Sequence, residues 1–87
     1  MIKRELTVRC KEGLQSKSAA LFIQKASGFK SDIWIEKGER KANAKSLLGL
    51  LSLSIGCGSN ITITAEGEDE IEAIAELGNY LENEMLN

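Results

Sequence analysis

The chain has 87 residues and a net charge of −2, with no histidine, no proline, two cysteines and 43% hydrophobic residues. This length predicts one domain, residues 1–87, with a single small core. Without histidine the chain cannot hold a Ser-His-Asp triad, a Cys-His dyad, a phosphohistidine or a zinc site that needs an imidazole ligand.

The N-terminal part of the chain predicts a strand followed by a helix. Residues 2–10 alternate between apolar and polar, as a half-buried strand does, although Arg4 interrupts the inward row. Ser16 is a candidate N-cap for a helix over residues 17–27, and Gly28 is a candidate stop. Apolar residues with helical spacing define the buried face of this helix: Ala19, Phe22, Ile23 and Ala26.

The middle of the chain predicts a β-hairpin and a short helix. Residues 32–37 have strand composition, and a turn at 37–39 predicts an antiparallel return over residues 40–44. Ser46 is well placed to cap a short leucine-rich helix over residues 47–53.

The last part predicts a turn, a strand and a final helix. The glycine-rich residues 56–59 read as a turn, and residues 60–65 alternate as a strand with one wet face. From Asp69 onward a helix is predicted, with acidic residues at its start and the following residues facing inward: Ile71, Ile74, Ala75, Gly78, Leu81 and Met85. The order βαββαβα predicts an α+β, open-faced two-layer sandwich, with a four-stranded antiparallel sheet and three helices on one face.

Charge and cysteine usage add expectations about partners and location. All 11 basic residues lie at or before Lys45, with only five of the 13 acidic ones. Folding either builds a basic face and an acidic face from this asymmetry, or interleaves the two halves and leaves only local patches. Cys10 and Cys57 form no metal or redox motif, so we expect two small buried side chains in a reducing cytosol, and no metal or cofactor. No apolar run approaches the length that spans a membrane, so we expect a cytoplasmic protein without a membrane segment.

Two serines begin predicted helices, each beside a lysine: Ser16 with Lys17, and Ser46 with Lys45. Helix starts attract anions, but serine is also a common structural cap, and spacing alone does not separate the two roles. Ser46 also precedes more leucine than one helix face can bury. If Leu50 and Leu53 face the sheet, then Leu47, Leu48 and Leu51 are left as an exposed apolar patch; a wide buried stripe is the equally simple alternative.

The element order and two motifs resemble the HPr phosphocarrier family of the bacterial sugar phosphotransferase system. The motifs are Gly-Leu-Gln-Ser-Lys-Ser-Ala at residues 13–19 and Asn-Ala-Lys-Ser-Leu-Leu-Gly-Leu at residues 43–50, and the resemblance extends over essentially the whole chain. In the family the first motif reads G-L-H-A-R-P-A, and its histidine carries the phosphate. Here Gln15 stands at the histidine position, Lys17 at the arginine position and Ser18 at the proline position. A carboxamide is not a usable nucleophile, so the resemblance implies a protein that is not an enzyme and cannot relay phosphate.

The second motif implies that a regulatory role is retained. In the family, the serine matching Ser46 is phosphorylated by an ATP-dependent HPr kinase/phosphorylase, and the phosphoserine form binds a LacI-type catabolite repressor. The resemblance therefore implies phosphorylation at Ser46, with partner contacts through Lys17, Lys45 and the leucines Leu47, Leu48 and Leu51. It also makes the chain a candidate for a homodimer formed by exchange of the N-terminal strand.

Two other functions remain open from the sequence. The chain is alternatively a diverged HPr-like scaffold, or an inhibitor of a transport or metabolic enzyme, without corepressor activity. Direct nucleic-acid binding through the basic first half is disfavoured, because Trp34 and a few other aromatics offer no stacking platform and the net charge is acidic. No direct nucleic-acid or membrane contact is expected.

Overall fold

A computed structural model describes residues 1–9 and 14–83 and contains the predicted elements in the predicted order. They are β1 (Ile2–Thr7), α1 (Ser16–Ser27), β2 (Asp32–Lys37), β3 (Arg40–Asn43), α2 (Leu47–Ser52), β4 (Asn60–Glu66) and α3 (Glu70–Glu82). The fold class is confirmed, because the sheet has four antiparallel strands and the three helices cover one of its faces.

The strands are ordered β1-β4-β2-β3, so β4 is one of the two central strands although it is the last strand along the chain. Ile63 of β4 has Arg4 of β1 on one side and Ile35 of β2 on the other. The acidic second half of the chain is thus inserted between strands of the basic first half. The sheet therefore interleaves the two halves of the chain, while the distribution of charge over the surface stays a prediction.

The core lies between the sheet and the helices, as period-two strands and period-3.6 helices require. Its fully buried large side chains come from every helix and from three strands or their continuations: Val8, Phe22, Ile33, Ile35, Leu50, Ile63, Leu77 and Leu81. The helices leave the other face of the sheet uncovered, and it carries alternate, polar residues of β1 and β4 such as Glu5 and Thr62. Packing in the core on the helix-covered side therefore holds α2 in place, and the open side of the sheet takes no part in positioning it.

The predicted inward face of α3 is partly wrong. Ile71 is 68% exposed and Ala75 is exposed, whereas Ala73, Leu77 and Tyr80 are buried. Tyr80 explains the rotation, because its ring packs 6.2 Å from Phe22 and its hydroxyl donates to the Ser18 carbonyl at 3.1 Å. Ile74, Gly78 and Leu81 are buried as expected, and Met85 lies outside the described residues.

Arg4, the polar residue in the inward row of β1, lies against α3. Its guanidinium forms an ion pair with Glu82 and covers Gly78, where a Cβ would come within 2.9 Å of the Arg4 Cζ. Glycine at residue 78 therefore leaves the space that the Arg4 guanidinium occupies against α3.

The expectation of buried cysteines is wrong for Cys57, which is exposed in the turn before β4. The turn is shaped by backbone hydrogen bonds rather than by packing of the thiol: the Gly58 N–H donates to the Val8 carbonyl and the Val8 N–H to the Ser59 carbonyl. Cys10 lies outside the described residues.

Candidate functional site

Ser46 is the N-cap of α2, as predicted. Its backbone is extended, with φ −109° and ψ 116°, and its Oγ accepts a hydrogen bond from the Gly49 N–H at 3.2 Å. The Ser46 N–H donates to the Asn43 carbonyl at 3.0 Å, so the turn between β3 and α2 is held at the serine itself. The side chain is half-buried, which fixes its geometry while leaving part of it accessible to solvent.

Lys45, the residue before the serine, is also half-buried. Its ammonium donates to the Phe29 carbonyl at 2.9 Å and the Ser31 carbonyl at 3.1 Å. Its backbone N–H donates to the Asn43 side chain at 2.8 Å. Lys45 therefore anchors the backbone just before Ser46 to residues 29–31, which follow α1. The sequence motif did not indicate this anchoring role, and a contact of Lys45 with a partner stays a prediction.

Asp69 holds the same segment from the other side. Its carboxylate accepts from the Ser31 Oγ at 2.5 Å, the Ser31 N–H at 2.9 Å and the Lys30 N–H at 2.8 Å. These bonds favour the charged form, so the Ser31 hydroxyl first, and then the Lys30 N–H, hold the pKa of Asp69 below its ordinary value. The site before α2 is thus braced through Lys45, Ser31 and Asp69.

Three leucines of α2 form an exposed apolar surface next to Ser46. Leu47 is 43% exposed, Leu48 82% and Leu51 38%, and their spacing puts them on one side of the helix. Leu50, in contrast, is buried against the core, as is Leu53 just after the helix. Of the two arrangements that the sequence left open, the structure has the exposed one, which we call the leucine patch (Leu47, Leu48 and Leu51).

The start of α1 differs from the prediction. Its N-cap is Gln15 rather than Ser16, because the Gln15 N–H donates to the Ser18 Oγ at 3.0 Å and the helix already begins at Ser16. The Gln15 side chain is exposed, and Lys17 is exposed in the first helical turn. Among residues 1–9 and 14–83, no hydrogen bond or ion pair joins Lys17 to Ser46 or its neighbours, and a contact of Lys17 with a partner stays a prediction.

Two small residues beside the serine, Gly49 and Ala42, were not predicted to belong to the site. A Cβ at Gly49 would lie 3.3 Å from Ser46 Oγ and 3.2 Å from the Ala42 Cβ. The available signal was a glycine inside a helix, which often marks a close approach of neighbouring groups.

A cavity of about 440 Å³ lies away from this site. It is lined by residues of β1, β2, β4 and the hairpin, including Glu5, Thr7, Glu36 and Thr62. None of its lining residues belongs to α2, so this cavity is separate from the leucine patch. Within residues 1–9 and 14–83, no cluster of three or more acidic or thiol side chains is arranged for a metal ion, and no helix has the length and hydropathy to cross a bilayer.

Comparison with known proteins gives a consistent set of relatives. The family model described as the PTS HPr component phosphorylation site matches residues 2–83. The HPr-like protein Crh of Bacillus subtilis is 46% identical over 85 residues, covering 98% of this chain and all of the relative. Crh of Halalkalibacterium halodurans is 50% identical over 84 residues, covering 97% of this chain and all of the relative.

Solved structures agree with the sequence relatives. HPr of Thermoanaerobacter tengcongensis superposes with a TM-score of 0.93 at 42% identity, covering 98% of this chain and 96% of the other. The crystal structure of Bacillus subtilis Crh, described as a dimer with a swapping domain, has a TM-score of 0.77 at 45% identity, covering all of this chain and 99% of the other. The resemblance inferred from the two motifs is confirmed: the chain belongs to the HPr family of the phosphotransferase system and is similar to its Crh members over nearly its whole length.

Proposed function

We propose that this chain is a non-catalytic regulatory protein of carbon catabolite repression that acts in the cytoplasm. In this proposal an ATP-dependent HPr kinase/phosphorylase phosphorylates Ser46, and the phosphoserine form acts as corepressor of a LacI-type catabolite repressor. The observation that carries the proposal is the position of Ser46 at the accessible start of α2, directly beside the leucine patch.

The physical basis is a change of surface with little change of fold. A phosphate on Ser46 adds a charge of about −1.5 to −2 next to an apolar surface. A partner that offers a cationic group beside an apolar groove then binds the modified form in preference to the unmodified one. The two anchors described above, Lys45 on the carbonyls after α1 and Asp69 on Ser31, keep the backbone in place whether or not the phosphate is present.

Gln15 supports the non-catalytic part of the proposal. A carboxamide nitrogen carries no lone pair suited to attack on phosphorus, so the position that carries phosphate in the family is unreactive here. The known relatives agree with a regulatory role in their descriptions, as HPr-like protein Crh and as the catabolite repression HPr of Bacillus subtilis.

The proposal includes a homodimer formed by exchange of β1. Crh of Bacillus subtilis is described as a dimer with a swapping domain, and HPr of Thermoanaerobacter tengcongensis as a dimer. Here β1 contacts β4 through six register pairs and α3 through the Arg4–Glu82 ion pair. A second copy can supply every one of these contacts, so exchange alters connectivity rather than interactions. Light scattering across a concentration series tests it: a second species twice the monomer mass is expected, and a monomer at all concentrations would contradict it.

The regulatory proposal is tested by incubating the protein with an HPr kinase/phosphorylase and ATP and measuring the intact mass. We expect one added phosphate on the wild type and none on Ser46→Ala. Ser52→Ala is the matched control, because Ser52 lies on the same helix and its hydroxyl donates to the Gly49 carbonyl; it should be modified like the wild type. An unmodified wild type would refute the switch and favour a diverged scaffold or enzyme inhibitor.

A further inference from the structure

The space beside Ser46 Oγ is kept open by a glycine. The Gly49 N–H already contacts this oxygen, and a methyl group at residue 49 would lie 3.3 Å from Ser46 Oγ and 3.4 Å from Ser46 Cβ. On its far side the same methyl group would press on the Ala42 Cβ at 3.2 Å. A side chain at residue 49 would therefore crowd the serine hydroxyl on one side and Ala42 on the other.

The backbone does not require glycine at this position. Gly49 lies inside α2, and it is not among the described residues with positive φ, which include Gly38, Gly58 and Gly67. Alanine is the better helix former, and a glycine inside a helix lowers helix stability. Helix propensity and backbone conformation therefore do not select glycine at residue 49, and the neighbours that a methyl group would crowd are Ser46 and Ala42.

We propose that Gly49 is a positioning residue for phosphoryl transfer to Ser46, an inference that rests on the proposed function. In the transfer Ser46 Oγ forms a bond to the γ-phosphorus of ATP while the bond from that phosphorus to the β,γ-bridging oxygen breaks. The hydroxyl proton passes to a base of the kinase, and ADP leaves. The incoming phosphoryl group must occupy the region around Oγ that a methyl group at residue 49 would partly fill.

A side chain at residue 49 is expected to impair the chemical step more than docking. Docking of the kinase is expected to use the leucine patch, whose side chains Gly49→Ala leaves unchanged, whereas transfer requires Oγ and phosphorus in line. Small misplacements of reacting atoms lower rates strongly. Gly49→Ala should therefore reduce kcat on the order of tenfold or more, while KM for the protein substrate changes by less than about twofold.

The experiment measures kcat and KM of an HPr kinase/phosphorylase on the wild type, Gly49→Ala and Gly56→Ala. Gly56 is the matched control, because it has no positive φ and a Cβ there meets nothing within 4 Å. Gly56→Ala should behave as the wild type. A kcat for Gly49→Ala within about threefold of the wild type, or an effect confined to KM, would overturn the inference. A wild type that takes no phosphate refutes the proposed function and this inference with it.

A second variant separates the contact with Ser46 from crowding against β3. Ala42→Gly combined with Gly49→Ala removes the 3.2 Å contact between the two methyl groups but keeps the methyl group beside Oγ. If that double variant remains slow and its thermal unfolding is cooperative, the contact with Oγ is responsible, as proposed. Recovery of the wild-type kcat would show that displacement by Ala42 caused the loss, which contradicts the proposal.

Discussion

Two leucines of α2 give the sharpest test of how this short helix divides its side chains between core and surface. Leu50 is fully buried, whereas Leu48, two residues earlier, is 82% exposed. Leu50→Ala removes buried apolar atoms and leaves a cavity, which costs about 2 to 5 kcal/mol. Leu48→Ala removes atoms that are already in water, so its cost should stay below about 0.5 kcal/mol.

These costs are large against the total stability. A chain of this size is held by roughly 4 to 13 kcal/mol. A loss of about 3 kcal/mol corresponds to a fall in Tm of roughly 12 to 24 °C in a domain of this size. Leu50→Ala should therefore fold marginally or not at all at physiological temperature, while Leu48→Ala keeps nearly the wild-type Tm.

Urea unfolding followed by the fluorescence of the single tryptophan measures both variants. Trp34 is half-buried on β2 with the Lys41 ammonium 5.0 Å from its ring centre, so its emission reports on the sheet rather than on α2. The reasoning is refuted if Leu48→Ala loses more than about 1.5 kcal/mol, or if Leu50→Ala loses less than about 1 kcal/mol. Either result would mean that α2 packs with a different face toward the core.

Three further predictions concern the braces around α2. Ser46→Ala removes the acceptor for the Gly49 N–H and should lower the unfolding free energy by about 1 kcal/mol in urea titrations, leaving the variant folded; a loss above about 3 kcal/mol would contradict a capping role. Because its pKa is lowered in the folded protein, the Asp69 carboxylate stabilises the fold above about pH 4, and this contribution is lost as the pH falls through the lowered pKa. Unfolding midpoints of wild type and Asp69→Asn should differ at pH 6 and converge toward pH 2, whereas a constant difference would exclude the carboxylate's charge as the cause. Gly67→Ala should lose about 1 to 3 kcal/mol in thermal unfolding, because φ is +154° and a Cβ would lie 2.7 Å from the Ser31 Cα; an unchanged Tm would contradict that crowding.

The order of all seven elements follows from local patterns, since alternation and helical spacing are properties of short segments. Neither fixes how a helix is rotated when its polar and apolar faces are similar in width. In α3 the predicted inward face is wrong at Ile71 and Ala75, because Tyr80 packs inward and its hydroxyl bonds to Ser18. This contact joins residues more than 60 positions apart, so the local spacing does not indicate it.

The candidate site, like the fold, was predictable only in part from the sequence. Ser46 as a cap follows from its residue type and the leucines after it, and the resemblance to the HPr family gave it a role. The anchoring of Lys45 on the Phe29 and Ser31 carbonyls was not predictable, because a lysine before a helix is ordinarily solvated. The first turn of α1 was misjudged by one residue, since a serine at N3 stabilised the start of the helix and two serines competed for that role.

The central claim is that phosphate on Ser46 is read by a repressor through α2. The most direct measurement is the binding of purified Ser46-phosphorylated and unmodified protein to a LacI-type catabolite repressor by calorimetry, with phosphorylated Leu48→Ser to test the leucine patch. We expect binding by the phosphorylated wild type, at least tenfold weaker binding by phosphorylated Leu48→Ser, which corresponds to about 1.4 kcal/mol or more, and no binding by the unmodified protein. Equal binding by the phosphorylated and unmodified forms would contradict it.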